Sequence, residues 1–374
     1  MEAYALLKLI WWLLLGVLLS GLAIMVGMDM GVGTMLRYVA RTDDERRIVL
    51  NVIGPHWDGN QVWFILGGGA IFAAWPTIYA TAFSGLYVVM IILLWSMILR
   101  PLGFEYRSRL PSARWRNLWD WSLFISGFFP MLIYGAAMGN MLRGVPFHFD
   151  WNMQSHYTGS FLALLNPFAV LTGLVSVSMA VYQGGSMIMN RTGGTIYDRA
   201  QRASMISGLA ALVLFLLGLI WIGRMDGYVI TGGALANGAA NPLHKTVEIV
   251  RGAWLNNFRA QPVLWILPVM TCAGILTGVL MLKRRCSHAA WWLGAIGWIG
   301  MIGTVFGAMF PFIMPSVTNP SQSLTVWDSS SSLRTLAWML GAAVIFVPLV
   351  IAYTGWAFWV MRGKVTKIDP DHSY

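Results

Sequence analysis

The sequence predicts an all-α, polytopic membrane protein of about nine transmembrane helices. Three observations support this class. Of the 374 residues, 57% are hydrophobic and only 11% are charged, whereas a soluble domain typically carries about 25% charged residues. The hydrophobic residues form runs near the roughly 20 residues that a helix needs to cross a bilayer. The 20 tryptophans are typical of proteins that place aromatic rings at the membrane–water interface.

The hydrophobic runs predict nine helices, separated by short polar segments. The first run is much longer than the roughly 7–15 residues of a signal-peptide core, so we expect it to be a retained helix. The second run is the least hydrophobic, because it contains His56 and Asp58, and only a turn at Pro76 separates it from the third. The predicted helices span residues 9–35, 49–73, 77–100, 119–142, 160–189, 203–224, 262–282, 289–313 and 335–361.

These helices are expected to form one integral membrane domain, residues 1–374. Helices one to four (1–142) and five to eight (143–313) are candidates for two four-helix halves, with one extra helix at 335–361. The longest loop, 225–261, is polar and rich in glycine and asparagine. No loop is long enough to form a soluble domain with its own core.

The basic residues predict the orientation of the chain. With nine helices, most lysines and arginines fall in loops on one side of the membrane, which the positive-inside rule places in the cytoplasm. The N-terminus is then periplasmic and the C-terminus cytoplasmic, in a bacterial inner membrane. This placement accounts for the net charge of +10 without a nucleic-acid partner. The residues are Arg37, Arg41, Arg46, Arg47, Arg107, Arg109, Arg114, Arg116, Arg191, Arg199, Arg202, Lys283, Arg284, Arg285, Arg362, Lys364 and Lys367.

Three ionisable residues fall inside the first two predicted helices: Asp29, His56 and Asp58. Ionisable groups inside a membrane are costly, so each is a candidate functional residue. If helix two begins near Val49, Asp58 lies about 14 Å along it and close to the bilayer midplane. Asp29 lies nearer the cytoplasm. Two carboxylates at different depths predict a stepped pathway for protons.

Helical geometry separates the polar residues of helix two into two groups. At about 100° per residue, His56, Asn60 and Trp63 lie on one stripe of the helix. Asp58 and Gln61 lie on roughly the opposite side. We therefore do not expect His56 and Asp58 to pair. We expect helix two to be buried among other helices, with one polar stripe facing a partner or a hydrated path.

A structural interpretation stays open for each of these residues. Asp29 is either a site of proton uptake or the partner of a cytoplasmic-side arginine. His56 is either part of the proton pathway or a hydrogen-bonded core residue. Arg100 and Asp120 lie at the cytoplasmic ends of helices three and four, where we expect them to pair with each other or with Asp29.

The histidines and cysteines argue against a heme or metal centre held by this chain alone. Only His56 lies within a predicted helix core, so no facing histidine pair is available for a low-spin heme. Cys272 and Cys286 are too far apart for a zinc or redox motif. No metal site and no catalytic residue is therefore expected here. The six histidines are His56, His148, His156, His244, His288 and His372.

Several segments, spread over nearly the whole chain, resemble subunit II of cytochrome bd-type ubiquinol oxidases. The most specific is GPHWDGNQVW at 54–63, and its neighbours occur in the order expected for that family. They include GMDMGVG at 27–33, RPLGFEYRS at 100–108, WRNLWDW at 115–121, GAWLNNF at 252–258 and MFPFIMPS at 309–316.

The resemblance implies an enzyme complex that oxidises quinol, reduces dioxygen to water and generates a proton motive force. Subunit I of such oxidases carries the quinol site and the ligands of the b-type hemes and heme d, and the second subunit is not catalytic alone. By resemblance, Asp58 matches a proton-channel carboxylate. Asp29, Arg100 and Asp120 match a polar cluster that is important for assembly or heme stability.

The resemblance also implies partners. Subunit I is expected to form a heterodimer of pseudo-twofold symmetry with this chain, surrounded by membrane lipids. The family also leads us to expect small single-helix subunits and a structural quinone.

Two other classes of protein compete with this interpretation. A proton-coupled transporter of repeated halves would use midplane carboxylates, but it is disfavoured by the unbroken predicted helices. A self-sufficient heme enzyme is disfavoured by the missing histidine pairs.

Overall fold

Long apolar helices dominate the structure, a computed structural model that describes residues 3–233 and 235–365. Within these residues, eight helices are long and apolar enough to cross a membrane. A bent pair, Trp57–Ala74 and Pro76–Gly85, supplies a ninth crossing if it is counted as one span. The predicted fold class, all-α with about nine membrane helices, is confirmed.

The helices are α1 (Ala3–Val39), α2 (Asp43–Ile53), α3 (Trp57–Asn60), α4 (Val62–Ala74), α5 (Pro76–Gly85), α6 (Tyr87–Tyr106), α7 (Ala113–Arg143), α8 (Pro167–Arg191), α9 (Gly194–Ile222), α10 (Asn256–Ala260), α11 (Ile266–Lys283), α12 (Ser287–Met309) and α13 (Leu333–Val360). The strands are β1 (Phe147–Phe149), β2 (Ser155–Tyr157), β3 (Asp226–Gly232), β4 (Thr246–Arg251), β5 (Phe312–Met314) and β6 (Leu324–Thr325). Short 3₁₀ helices at Leu162–Leu164, Ala253–Leu255, Pro262–Trp265 and Pro320–Gln322 connect some of them.

The loops rich in arginine meet at one end of the bundle, which we call the basic end. It comprises the ends of α1, α6, α8 and α11 and the beginnings of α7, α9 and α12. Side chains tie these loops together: Arg37 donates to Asn117 at 2.6 Å, and Arg199 donates to the carbonyl of Val39 at 3.0 Å. Arg285, from the α11–α12 loop, lies 2.9 Å from Asp198 at the start of α9. The basic residues of four separate loops therefore share one side, as the orientation prediction requires.

Three antiparallel β-hairpins lie at the opposite end, which we call the hairpin end. The hairpins are β1–β2, β3–β4 and β5–β6, and hydrogen bonds connect them. Phe149 N–H donates to the side chain of Gln322 at 2.7 Å, and Val247 N–H donates to Ser321 at 3.3 Å. The long 225–261 loop is thus a hairpin followed by short helices rather than a soluble domain.

The predicted single helix at 49–73 is wrong. The chain is helical in α2, turns at residues 54–56, and becomes helical again through α3 and α4. Pro55 accounts for part of this break, because it has no N–H with which to continue the helix. A second break at Pro76 bends the chain by 114° between α4 and α5, and Pro76 occupies the first position of α5, where its missing N–H is tolerated.

Two other predicted boundaries also move. The third predicted helix, 77–100, consists of α5 and α6, with a break at Leu86. The fifth begins at Pro167 rather than at residue 160, because Asn166 caps it by accepting a hydrogen bond from the N–H of Ala169 at 3.0 Å.

The core of the bundle depends on a close crossing of α1 and α8. A Cβ placed on Gly31 would lie 1.8 Å from the carbonyl oxygen of Ala180, and one on Gly184 would lie 2.5 Å from the N atom of Val32. Glycines let helix backbones approach in this way inside a membrane. The segments 1–142 and 143–313 therefore pack directly on each other, and their division into two four-helix halves stays a prediction.

Candidate functional site

Asp29 and Arg100 form a buried ion pair inside the bundle. Asp29 comes from α1 and Arg100 from α6, and Nη2 of the arginine lies 3.2 Å from Oδ2 of the aspartate. Both side chains are almost fully buried. Asn60, at the end of α3, donates from Nδ2 to the same oxygen at 3.0 Å. Of the two partners predicted for Arg100, the structure supports Asp29.

A cavity of about 10 Å³ lies beside this pair. Leu50 and Ile53 of α2 and Phe104 of α6 line it together with Asp29 and Arg100. Oδ1 of Asp29 and Nη1 of Arg100 are buried, and neither has a hydrogen-bond partner in the described part of the chain. The volume is on the order of one water molecule. A water molecule in this cavity could therefore hydrogen-bond to the unpaired atoms of Asp29 and Arg100.

Asp120 belongs to a second cluster at the basic end, which we call the five-residue network. Oδ1 of Asp120 lies 2.7 Å from Nε of Arg107, and Oδ2 lies 2.7 Å from Nη1 of Arg46. Nη2 of Arg107 also lies 2.8 Å from Oδ1 of Asp43, and Oδ2 of Asp43 lies 2.7 Å from Nη1 of Arg116. Arg107 and Asp120 are fully buried, whereas Asp43 and Arg116 are partly exposed.

The predicted pairing of Asp120 with Arg100 or Asp29 is therefore wrong. The reason lies in the geometry of α6, where Arg107 follows Arg100 by seven residues. Seven residues are close to two helical turns, so both arginines project from one face of α6. That face presents Arg100 to Asp29 on α1 and Arg107 to Asp120 on α7, and each aspartate has an arginine of its own.

The network extends through the capping box of α2. Thr42 accepts from the N–H of Glu45 at 3.2 Å, and the Glu45 carboxylate accepts from the N–H of Arg41 and from the Arg199 guanidinium, each at 2.7 Å. Burial raises the pKa of Glu45, but these hydrogen bonds outweigh it and hold the pKa below its usual value. Glu45 is therefore charged at neutral pH and ties α2 to α9.

His56 lies in the turn before α3 and is buried. Its Nδ1 is 3.2 Å from the carbonyl of Ile53, its Nε2 is 3.4 Å from Nη2 of Arg191, and its ring stacks on Phe358 with centroids 4.4 Å apart. As predicted, it does not pair with Asp58. These contacts favour the interpretation of His56 as a hydrogen-bonded core residue.

His56 is the only buried histidine in the described part of the chain. Both of its ring nitrogens have neighbours in the protein. His148 and His156 lie on the β1–β2 hairpin, and His244 precedes β4 at the same end. His288 lies in the first turn of α12, and His372 lies outside the described residues. That the hemes belong to the partner subunit stays a prediction.

Asp58 is exposed on the outside of the bundle. It is the second residue of the Trp57–Ala74 span, and the contact of Asn60 with Asp29 places this part of the span near the level of Asp29. That level is about 15 Å along α1 from its end at Val39. The uninterrupted helix on which the depth of Asp58 was predicted is wrong. The placement of Asp58 near the midplane, with Asp29 nearer the cytoplasm, stays a prediction.

The predicted separation of the polar residues into two sides holds. His56, Asn60 and Trp63 are buried, whereas Asp58 is exposed. The exposed side, which was expected to face a partner or a hydrated path, continues along α4. We call this exposed row the α4 stripe: Asp58, Ile65, Gly69 and Phe72.

Sequence reasoning missed several residues at these sites. Arg46, Arg107 and Arg191 were used only to predict the orientation of the chain. The seven-residue spacing between Arg100 and Arg107 could have shown that both lie on one helix face.

No sequence pattern indicated a buried cluster of charged residues at the hairpin end. There Lys8 donates to the carbonyl of Trp327 at 2.6 Å, and Lys245 lies 2.8 Å from Asp328. Burial lowers the pKa of Lys245, and the charge of Asp328 opposes this.

The fold and these sites define a helical membrane protein that spans the bilayer many times and holds several of its charged residues in buried pairs. The family model described as "Cytochrome bd terminal oxidase subunit II" matches residues 7–361. This match covers almost the whole chain, so the protein belongs to that family.

The relatives agree over nearly full length. Cytochrome bd-I ubiquinol oxidase subunit 2 of Escherichia coli K12 is 47% identical over 370 residues, covering 98% of this chain and 97% of the relative. A probable cytochrome oxidase subunit 2 of Haemophilus influenzae is 45% identical and covers 97% and 96%. A chain of the bd oxidase structure from Geobacillus thermodenitrificans superposes with a TM-score of 0.69 at 15% identity, over 95% of this chain and 98% of that one. This structural likeness supports the fold.

Proposed function

We propose that this chain is the second subunit of an inner-membrane cytochrome bd quinol oxidase, and that it contributes the cytoplasmic side of a proton pathway. In the complex, quinol is oxidised and dioxygen is reduced to water, and subunit 1 carries the quinol site, the b-type hemes and heme d. The chain described here is not catalytic alone. The basic end faces the cytoplasm, with the N-terminus in the periplasm, in accord with the positive-inside rule.

The α4 stripe is the observation that carries this proposal. A carboxylate that faces lipid inside the membrane costs much free energy. Asp58 is exposed on this chain alone, so it needs a partner that shields it from lipid. A Cβ on Gly69 would meet nothing within 4 Å, and small residues of this kind suit a close helix–helix contact in a membrane. Subunit 1 covers the stripe in our proposal and thereby encloses Asp58 at the interface between the two subunits.

The neighbouring helix supports the same surface. Of the 28 residues of α13, only Leu336 and Thr354 are buried. The helix packs on α1 and α4 and leaves most of its apolar side chains exposed. A pseudo-twofold partner of similar helical plan offers a matching apolar face. Small single-helix subunits and a structural quinone stay predictions from the family resemblance, and no described residue is assigned to either.

In this proposal Asp58 transfers protons toward subunit 1, and the buried residues behind it hold the α3 segment in place. Asn60 anchors α3 to Asp29, and His56 anchors the preceding turn to Arg191 and Phe358. The contacts of His56 favour a positioning role. Asp29 has two functions open to it, proton transfer and charge pairing with Arg100.

The first prediction concerns the Asp58→Asn substitution. Asparagine keeps the size of the side chain but cannot take up and release a proton, so quinol oxidase turnover of the purified complex is expected to fall at least about tenfold. The heme absorption spectrum and the yield of the two-subunit complex should stay unchanged, because asparagine has nearly the same size and shape as aspartate and fits the same place in the interface. Turnover is measured as quinol-dependent oxygen consumption.

Two matched variants make this result specific. Asp58→Glu keeps the titratable group and should recover much of the turnover. Asp44→Asn removes an exposed carboxylate at the basic end and should have no effect. Wild-type turnover of the Asp58→Asn complex, with intact spectra, would contradict the proton pathway proposed here.

The second prediction tests the docking surface. Gly69→Trp adds a bulky side chain to the α4 stripe at a point where this chain itself leaves space. We expect the chain to insert and fold but to lose most of the co-purifying subunit 1 and its hemes. Leu209→Trp adds the same side chain to an exposed position on α9 and should retain the partner. Equal recovery of subunit 1 with both variants would rule out the α4 stripe as the interface.

A further inference from the structure

A second cavity, of about 470 Å³, lies at the basic end. It is bounded by the α8–α9 connection, the α11–α12 connection and the chain that follows α13. It is lined by neither Asp29 nor Arg100, which line the small cavity. None of the residues of the proposed proton pathway or of the five-residue network lines this cavity, so neither accounts for the residues that do.

The walls of this cavity carry more positive than negative charge. Arg285, His288 and Lys364 come from three different positions along the chain, and Asp198 is the one acidic residue among the residues that line the cavity. Asp198 lies 2.9 Å from Nη2 of Arg285, so these two charges compensate each other. Lys364 forms no ion pair with any described residue. The residues that line the cavity therefore carry a net positive charge.

Two long helices also begin at this cavity. α9 has 29 residues and α12 has 23, and their N-caps, Gly193 and Cys286, provide no side-chain hydrogen bond to the first turn. The free N–H groups at a helix N-terminus attract anions. A Cβ on Gly193 or Gly194 would meet nothing within 4 Å, so the space beside the start of α9 is open to a ligand.

We propose that this cavity binds a phosphate group at the cytoplasmic surface of the membrane. The ligand is either the headgroup of an anionic phospholipid or a soluble phosphate, since both present the same oxygens to Lys364, Arg285 and the two helix N-termini. Basic side chains at this level of a membrane protein are well placed for anionic headgroups. A volume of about 470 Å³ has room for more than the phosphate itself. The proposal does not depend on the role of Asp58.

The test measures phosphate and lipid binding to the purified, delipidated two-subunit complex. The soluble probe is inorganic phosphate, followed by calorimetry, and the lipid probe is phosphatidylglycerol, titrated by native mass spectrometry, with phosphatidylcholine as the zwitterionic comparison. Each basic residue near a membrane surface contributes about fivefold to binding. Lys364→Ala should therefore weaken binding about fivefold, and Arg285→Ala/Lys364→Ala about thirtyfold.

Two further variants control for charge and folding. Arg114→Ala/Arg202→Ala removes two exposed arginines from the same end of the molecule and should leave binding unchanged. Asp198→Asn removes the carboxylate that compensates Arg285 and should tighten binding, an effect that general destabilisation would not produce. An unchanged heme spectrum shows that each complex is assembled.

The two probes distinguish the sources of the phosphate. Weaker binding of phosphatidylglycerol alone in the cavity variants identifies a lipid headgroup, and weaker binding of both probes identifies a site that also accepts soluble phosphate. Equal affinity of wild type and the Arg285→Ala/Lys364→Ala variant for both probes would overturn the proposal. A loss of the same size in the Arg114→Ala/Arg202→Ala control would also overturn it.

Discussion

Replacing Asp120 with asparagine is expected to lower the free energy of unfolding by about 3–5 kcal/mol, because it leaves buried arginine charge without its partner. Asp120 accepts from Arg107 and Arg46 at 2.7 Å each, and both Asp120 and Arg107 are fully buried. Asparagine fits the same space but carries no charge. We expect a lower melting temperature and a much lower yield of assembled, heme-containing complex.

The exposed neighbour of the network provides the control. Asp44 lies next to Asp43 in the first turn of α2 and is exposed. Asp44→Asn should change the free energy of unfolding by less than about 0.5 kcal/mol. Arg107→Gln, which leaves Asp120 buried with only Arg46, should be almost as harmful as Asp120→Asn. If Asp120→Asn proved as mild as Asp44→Asn, the five-residue network would not hold the basic end together.

The membrane helices were the part of the fold that the sequence predicted best, and the reason is physical. Lipid requires long apolar helices with internally satisfied backbone groups, so α1, α7, α9, α11, α12 and α13 follow from hydrophobic runs alone. The α2–α3–α4 segment did not follow in this way. There a proline-containing turn lies inside a run that still looks apolar, and hydropathy does not register a missing N–H.

The candidate site was predicted by residue type but not by pairing. The cost of intramembrane charge identified Asp29, His56 and Asp58 as candidates, and the family resemblance added Arg100 and Asp120. Which arginine meets which aspartate depends on how α6 is placed between α1 and α7, and this placement arises from tertiary packing. The separation of Asn60 from Asp58 did follow from the sequence, because helical geometry alone puts them on different sides. Which of the two sides is buried did not follow, because it depends on the packing of neighbouring helices.

The cavity at the basic end was outside the reach of sequence reasoning for a different reason. Arg285 and Lys364 both counted toward the positive-inside pattern, which concerns only the side of the membrane. Arg285 and Lys364 are 79 positions apart in the chain. They line the same cavity only because α11, α12 and α13 pack in one particular arrangement. A composition-based rule contains no such information.

The Asp29–Arg100 pair leads to the most discriminating prediction. Asp29→Asn leaves the fully buried Arg100 without a counter-charge, so we expect a loss of about 3–5 kcal/mol in the free energy of unfolding and little assembled complex. The double variant Asp29→Asn/Arg100→Gln removes both charges and keeps groups that can hydrogen-bond to each other. It should recover most of the lost stability, since replacing a whole buried pair is often close to neutral.

Turnover of the recovered double variant then separates the two functions open to Asp29. If Asp29 only compensates Arg100, the stable double variant should oxidise quinol at close to the wild-type rate, because the charge pair is no longer needed. If Asp29 transfers protons, turnover should stay at least about tenfold low although the complex is assembled. We expect the first result, because Oδ2 of Asp29 accepts a hydrogen bond from Asn60 at 3.0 Å and lies 3.2 Å from the Arg100 guanidinium. A carboxylate held by a hydrogen bond and a buried counter-charge is better suited to positioning α3 than to releasing a proton. Failure of the double variant to regain stability would show that the charges themselves are required at this site, and would leave Asp58→Asn as the variant that measures proton transfer.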